Sequence, residues 1–237
     1  MEWQSRTELL LGKDKQERLK NANVLVVGLG GVGSYAVEQL VRAGIGNLLI
    51  IDGDTVHPSN RNRQLPALIS TENLPKATVM EQRIRDINPD INLHIIQDFI
   101  KDEKIEALFD THYDYIIDAI DTLSPKVFLI VNAVKNNIPI ISSMGAGGKF
   151  DVSKIEITDI SKTHNCKLAR MVRKRLSKHG IKKGVTVVYS PEKINKDFVI
   201  PVEGEQNKKT TVGTISYMPA TFGIFAAAHV IRRIANV

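Results

Sequence analysis

Val24-Leu25-Val26-Val27-Gly28-Leu29-Gly30-Gly31-Val32-Gly33 is the stretch that decides the fold. Four branched apolar residues in succession read as a short buried strand. Gly28, Gly30 and Gly33 then fit G-x-G-x-x-G directly after that strand and ahead of a helix over about 34–43, which Gly44 ends. Residues without a Cβ permit a tight turn and let backbone amides approach a phosphate, and the helix N-terminus favours the anion. A second strand, Leu48 to Ile51, runs into Asp52, which is placed to accept hydrogen bonds from ribose hydroxyls. On these residues alone a nicotinamide or flavin dehydrogenase is the leading reading. A nucleotide is bound; which nucleotide stays open.

Outward from this stretch, β-branched runs alternate with helical patterns, the mark of βαβ units around a parallel sheet. The pattern predicts a helix over 76–87, stopped by Asn88-Pro89, strands at 93–96, 115–120 and 138–141, and a helix over 126–135. Beyond Gly145 the character changes to a strand (155–160), a basic helix (165–178) and a strand (185–189). Pro191 to Gly213, which contains the polar run Glu203 to Lys209, reads as a mobile loop. The expected fold class is α/β: a Rossmann-like, mostly parallel sheet with a nucleotide site, plus a C-terminal extension of added strands and helices. One domain is expected over 1–237, its nucleotide-binding core at about 20–145 and a substrate and dimer extension at about 146–237.

Hydrophobic residues at 43% and charged residues at 24% fit a soluble enzyme. The one cysteine, Cys166, excludes an internal disulfide and any zinc site built from paired CxxC motifs, and sets a reducing, cytoplasmic compartment as the expectation. Met1 to Glu17 has no signal-peptide core. The longest apolar run, Phe222 to Ile231, is interrupted by Gly223 and His229 and is too short to span a bilayer, so burial against the protein or a second subunit is expected.

The residues after Asp52 separate ATP chemistry from hydride transfer. Asn60, Arg63 and Gln64 follow it, and Lys76 opens the next helix. An enzyme that breaks the α–β bond of ATP must neutralise charge on departing pyrophosphate, which Arg and Lys clamps with Mg²⁺ accomplish. Read together with Asn60 and Gln64, Arg63 and Lys76 favour such a clamp.

Gly28–Gly33, Asp52-Gly53-Asp54, Asn60-x-x-Arg63-Gln64 and Lys76 together resemble the ThiF/MoeB/HesA superfamily of carboxylate-adenylating enzymes, relatives of ubiquitin-activating enzymes. The resemblance implies that Gly28, Gly30, Gly31, Gly33, Asp52, Asp54, Asn60, Arg63, Gln64 and Lys76 hold ATP. It further implies that Asp121, in Asp118-Ala119-Ile120-Asp121, carries Mg²⁺. Asp118 itself reads equally well as a structural acid. Lys126 stands near the place where the superfamily has an Arg, a departure from its pattern. The superfamily's N-terminal Arg, supplied across a dimer to the phosphates, corresponds to Arg6 and implies a homodimer.

Arg6-Thr7-Glu8-Leu9-Leu10-Leu11-Gly12, Ser143-Met144-Gly145-Ala146-Gly147-Gly148-Lys149, Gly213 to Ala220 and Phe222-Gly223 resemble, more specifically, the tRNA threonylcarbamoyladenosine dehydratase family. That likeness implies ATP-dependent cyclisation of a modified adenosine beside the anticodon, by adenylation of its threonyl carboxylate. The attacking nitrogen then belongs to the substrate, so no enzyme nucleophile is required and Cys166 reads as an ordinary thiol. Charge agrees with an RNA partner. Between Ile160 and Pro191 there are nine Lys and Arg and no acid, so the remainder of a chain of net +6 carries −3. In the helix, Leu168, Val172 and Leu176 recur four apart and face the core, leaving Lys167, Arg170, Lys174 and Lys178 for phosphates. Three rivals remain: an activator of a ubiquitin-like sulfur-carrier protein's C-terminus, an NAD-dependent oxidoreductase, and a nucleotide-binding tRNA adaptor that binds both ligands without turnover. A sulfur-transfer partner stays open.

Overall fold

The computed structural model describes residues 2–100, 103–201 and 210–237. Two helices open the chain, α1 (Ser5–Leu11) and α2 (Lys13–Asn21). Then come β1 (Asn23–Val27), α3 (Gly33–Ala43), β2 (Asn47–Ile51), α4 (Lys76–Ile87), β3 (Asn92–Ile96), α5 (Glu103–Leu108), β4 (Tyr115–Asp118), α6 (Leu123–Lys135) and β5 (Ile140–Ser143). The remainder adds β6 (Glu156–Asp159), α7 (Lys167–Leu176), β7 (Thr186–Tyr189), a ribbon of β8 (Val199–Pro201) and β9 (Thr210–Val212), and α8 (Tyr217–Ala235).

Seven strands form one sheet in the order β3-β2-β1-β4-β5-β7-β6, all parallel except β6, which runs antiparallel along β7 at one edge. The expected mostly parallel sheet is therefore observed. Alternation along β1 sorts the two cores: Val24 and Val26 face α3, α4 and α8, while Leu25 and Val27 face α5, α6 and α7. Each fully buried Val, Leu or Ile contributes about 1.5–3 kcal/mol of burial free energy. Strand order reverses direction between β1 and β4, and the crevice outside the carboxyl ends of such a pair is where open α/β sheets bind ligands.

The helix over 76–87 lies where the periodicity put it. The apolar run 222–231 belongs to α8, whose Phe222, Ala226, Ala227 and Val230 are buried in the core shared with α3. No helix among the described residues is long and apolar enough to cross a membrane. Two expectations need correction. The stretch 191–213, read as a loop, contains the β8–β9 ribbon, paired from Val199↔Val212 to Pro201↔Thr210; the polar run Glu203 to Lys209 lies outside the described residues. The basic helix is also shorter than expected, because it tightens into a 3-10 turn over Ser177–His179 that Gly180 closes.

Candidate functional site

The glycine loop is built by contacts that exclude side chains. Gly28 has φ +91°, and a Cβ there would lie 2.8 Å from the Ala119 carbonyl oxygen at the end of β4. A Cβ on Gly33 would lie 1.7 Å from the Gly28 carbonyl oxygen, so the first turn of α3 can close only over glycine. The loop is thereby pressed against the β4 carboxyl end, in the crevice where the strand order reverses.

Asp52 braces this loop. One carboxylate oxygen accepts the Leu29 amide at 2.5 Å, and the other accepts the Asp54 amide at 2.7 Å. Burial pushes its carboxyl above the ordinary carboxylate range, against the pull of the nearby Lys76 ammonium. Both oxygens retain lone-pair capacity for a ribose. Lys76 opens α4, only 4% exposed as a residue, with its ammonium 2.9 Å from an Asp54 carboxylate oxygen. Asp54 therefore holds the lysine that the sequence places in the clamp.

Asn60 is buried, and its side chain accepts the His57 amide at 3.1 Å, while its carbonyl accepts the Arg63 and Gln64 amides. It shapes the turn that presents the next residues. Arg63 is half-buried and donates to the Ser59 carbonyl at 2.9 Å. Burial lowers its guanidinium, and the Asp121 carboxylate pulls in the opposite direction, so the two charges sense each other across the site. Gln64 lies over the loop, its Nε2 3.7 Å from where a Gly30 Cβ would be, and its Oε1 is buried with no hydrogen-bond partner among the described residues. A buried acceptor without a donor is costly and marks a place where a ligand can supply one. Gly31 abuts both Arg63 and Pro219 of α8.

Asp121 is exposed just past β4, whereas Asp118 is wholly buried. Asp118 bonds Lys126 at 2.7 Å and the Ser142 hydroxyl at 2.6 Å, and Lys126 also reaches that hydroxyl at 3.1 Å. Both Asp118 and Lys126 are structural, so Lys126 is no stand-in for the superfamily's arginine. Among the described residues no group of three or more His, Cys, Asp or Glu could cage a metal. Asp121 is a hard oxygen donor at the carboxyl end of β4, the ligand type that Mg²⁺ takes.

Arg6 is not brought to this site within its own chain. It is exposed on α1, and the neighbouring Gln4 side chain packs on Gly44 at the far end of α3. An eleven-residue helix separates Gly44 from the glycine loop, about 16 Å at 1.5 Å per residue.

Lys167, Arg170, Lys174 and Lys178 are all exposed on and just beyond α7, with Val172 and Leu176 buried beneath. Two other cations of the run do structural work: Arg173 bonds the Thr163 carbonyl at 2.8 Å and its hydroxyl, and Arg175 bonds the Ser124 hydroxyl at 2.8 Å. Cys166 is buried, its sulfur 3.9 Å from where a Gly145 Cβ would be. Lys149 was quoted in a motif but given no role by its sequence. It is 1% exposed, bonded to the Ser190 carbonyl, with its ammonium 6.0 Å from the Phe222 ring centroid; burial holds that ammonium below the ordinary lysine range. Its burial could not be read from a Gly-Gly-Lys string alone.

The ThiF family pattern matches residues 4–237. The chain is 43% identical over 234 residues to the tRNA threonylcarbamoyladenosine dehydratase of Bacillus subtilis strain 168, spanning 96% of this chain and 92% of that protein. The crystal structure of the Escherichia coli tRNA N6-threonylcarbamoyladenosine dehydratase, TcdA, matches with a TM-score of 0.90 at 36% identity, covering 99% of this chain and 95% of that one. A structure of TcdA in complex with ATP matches with a TM-score of 0.90 at 35% identity, covering 99% and 94%. The chain belongs to the ThiF family, and within it to the tRNA threonylcarbamoyladenosine dehydratases.

Proposed function

We propose that this protein uses ATP to cyclise threonylcarbamoyladenosine in tRNA, adenylating the threonyl carboxylate and releasing AMP as the ring closes. The observation that carries this reading is the likeness, over 96% of this chain, to a dehydratase of that name, and the placement of Arg63 against Gly31 of the glycine loop supports it.

In this mechanism the loop amides and the α3 N-terminus cradle the phosphates, and Asp52 holds the ribose. Asn60 shapes the turn, and Gln64 offers its unpartnered oxygen to a donor on the nucleotide. Lys76, held by Asp54, and Arg63 neutralise charge as pyrophosphate leaves. Bound at Asp121, Mg²⁺ would supply further charge neutralisation on the phosphates. The threonyl carboxylate oxygen bonds the α-phosphorus as the bond to pyrophosphate breaks. A nitrogen of the substrate's own carbamoyl group then attacks the activated carbonyl, loses its proton and expels AMP. The nucleoside loses one water, and tethering of nucleophile to electrophile supplies much of the rate.

Lys167, Arg170, Lys174 and Lys178 contact RNA phosphates, and the protein acts as a cytoplasmic homodimer with Arg6 completing the partner's site. Incubation with ATP and tRNA carrying threonylcarbamoyladenosine, followed by nucleoside mass analysis, is expected to show loss of 18 Da (about one water) with stoichiometric AMP. Unchanged nucleoside, or AMP formed only with a carrier protein ending in Gly-Gly, would overturn the reading in favour of sulfur-carrier activation.

A further inference from the structure

Three exposed aromatic residues come together, Phe150 and Phe198 through their rings and Tyr217 through its hydroxyl. Phe150 is 53% exposed, Phe198 38% and Tyr217 43%, in a chain with only 5% aromatic residues. The Phe150 and Phe198 rings sit edge to face with centroids 5.7 Å apart. The Tyr217 hydroxyl donates to the Phe150 carbonyl at 3.0 Å, and the Phe150 amide donates to Glu192 at 3.1 Å. The Phe150 backbone is thus held at both its amide and its carbonyl and Tyr217 is tethered through its hydroxyl, while the ring surfaces stay open to solvent.

Their position ties them to the nucleotide crevice. Tyr217 begins α8, and Pro219, two residues on, abuts Gly31 of the glycine loop. Asn62, adjacent to Arg63, donates to the Thr214 carbonyl at 3.0 Å, and Thr214 packs against Gly147, three residues before Phe150. The segment between β7 and Phe198 carries Lys193 and Lys196, both exposed, together with Glu192 and Asp197, so its charge is balanced. Exposed rings beside a site proposed to act on RNA suit unstacked bases, because every base offers a π-face.

We propose that Phe150, Phe198 and Tyr217 form a platform at the rim of the site on which unpaired bases neighbouring the target nucleoside stack. This rests on the RNA substrate proposed above. The platform grips the loop bases while the cations of α7 (Lys167–Leu176) grip the backbone, dividing RNA binding between stacking and charge.

The test measures steady-state kinetics with an anticodon stem-loop carrying threonylcarbamoyladenosine, for the wild type and for Phe150→Ala, Phe198→Ala, Phe150→Leu and Phe150→Tyr. Loss of either ring is expected to raise KM for the RNA about tenfold with kcat nearly unchanged. Phe150→Leu, which keeps apolar bulk but no ring, should behave like Phe150→Ala, and Phe150→Tyr like the wild type. KM equal to wild type in both alanine variants overturns the platform. So does a change of oligomeric state on gel filtration without a change in KM, which would assign the rings to a second copy of the chain. A wild-type protein that converts no stem-loop overturns the RNA reading itself, and is distinguishable because it fails before any variant is compared. Misfolding is separated by ATP binding, which each variant must retain to be scored.

Discussion

At the residue scale the chain keeps two kinds of lysine out of water. Lys126 is wholly buried against Asp118 and Ser142, and its charge is cancelled within the core. Breaking such a pair from one side strands the other charge, so Lys126→Met is expected to cost about 3–5 kcal/mol, read as a lower urea midpoint. Asp118→Asn in the same chain should recover most of that loss. Lys76, by contrast, meets a half-exposed Asp54 beside the glycine loop. Lys76→Ala or Asp121→Ala should reduce AMP formation by about 10²–10³-fold while the far-UV spectrum is retained. AMP release at the wild-type rate by either variant would remove that residue from the mechanism. The order in which Arg63, Gln64 and Lys76 follow Asp52 names them in the sequence as candidates for the ATP site, and folding brings Arg63 against Gly31 and Gln64 over Gly30. The Asp118–Lys126–Ser142 cluster was not, since its members come from β4, α6 and β5 and only sheet packing buries them together.

At the element scale, α8 and α7 illustrate opposite uses of a helix. On α8 (Tyr217–Ala235), His229 packs edge to face on Tyr115 and meets its hydroxyl at 3.0 Å. Burial, then Arg233 and Arg232, hold the imidazole below its ordinary value of 6.5. Below about pH 6.5 the unfolded chain therefore takes up this proton before the folded one, and stability falls with pH until the folded histidine also titrates. His229→Gln, which can keep a bond to the Tyr115 hydroxyl, is expected to flatten the fall in Tm between about pH 7.5 and pH 5.5. A parallel fall in both proteins would sink this assignment. On α7 the outward cations Lys167, Arg170 and Lys174 are spent on solvent or a ligand. Replacing any one with alanine should lower the slope of log affinity for tRNA against log salt by about one, with little change in Tm. The sheet strands β1 to β7 and the helices α3, α4, α6 and α7 could be read from local periodicity, whereas α1, α2 and the long apolar α8 were not read as helices. The β8–β9 ribbon could not, because two three-residue strands flanking a polar run carry too little pattern, and α5, six residues long, was missed for the same reason.

For the whole molecule, the distance between Arg6 and its own glycine loop bears on the proposed dimer. If Arg6 serves the partner's site, two inactive chains should rescue each other. In a mixture of Arg6→Ala and Lys76→Ala proteins, each mixed dimer holds one intact site, and about a quarter of wild-type activity should return after subunit exchange. No recovery, with mixed dimers demonstrated, would place Arg6 outside catalysis. The exposed Leu9 and Leu10, on the same helix at 88% and 83%, give such a dimer an apolar contact face.

The packing of α8 against α3 has a consequence for how the protein is made. The helix that supports Gly31 is synthesised near the end of the chain, whereas the loop it supports emerges near the beginning. Contacts of such long sequence separation form late and slow the search for the native state. During translation the first βα unit therefore waits, with its phosphate cradle unsupported, until Tyr217–Ala235 has left the ribosome.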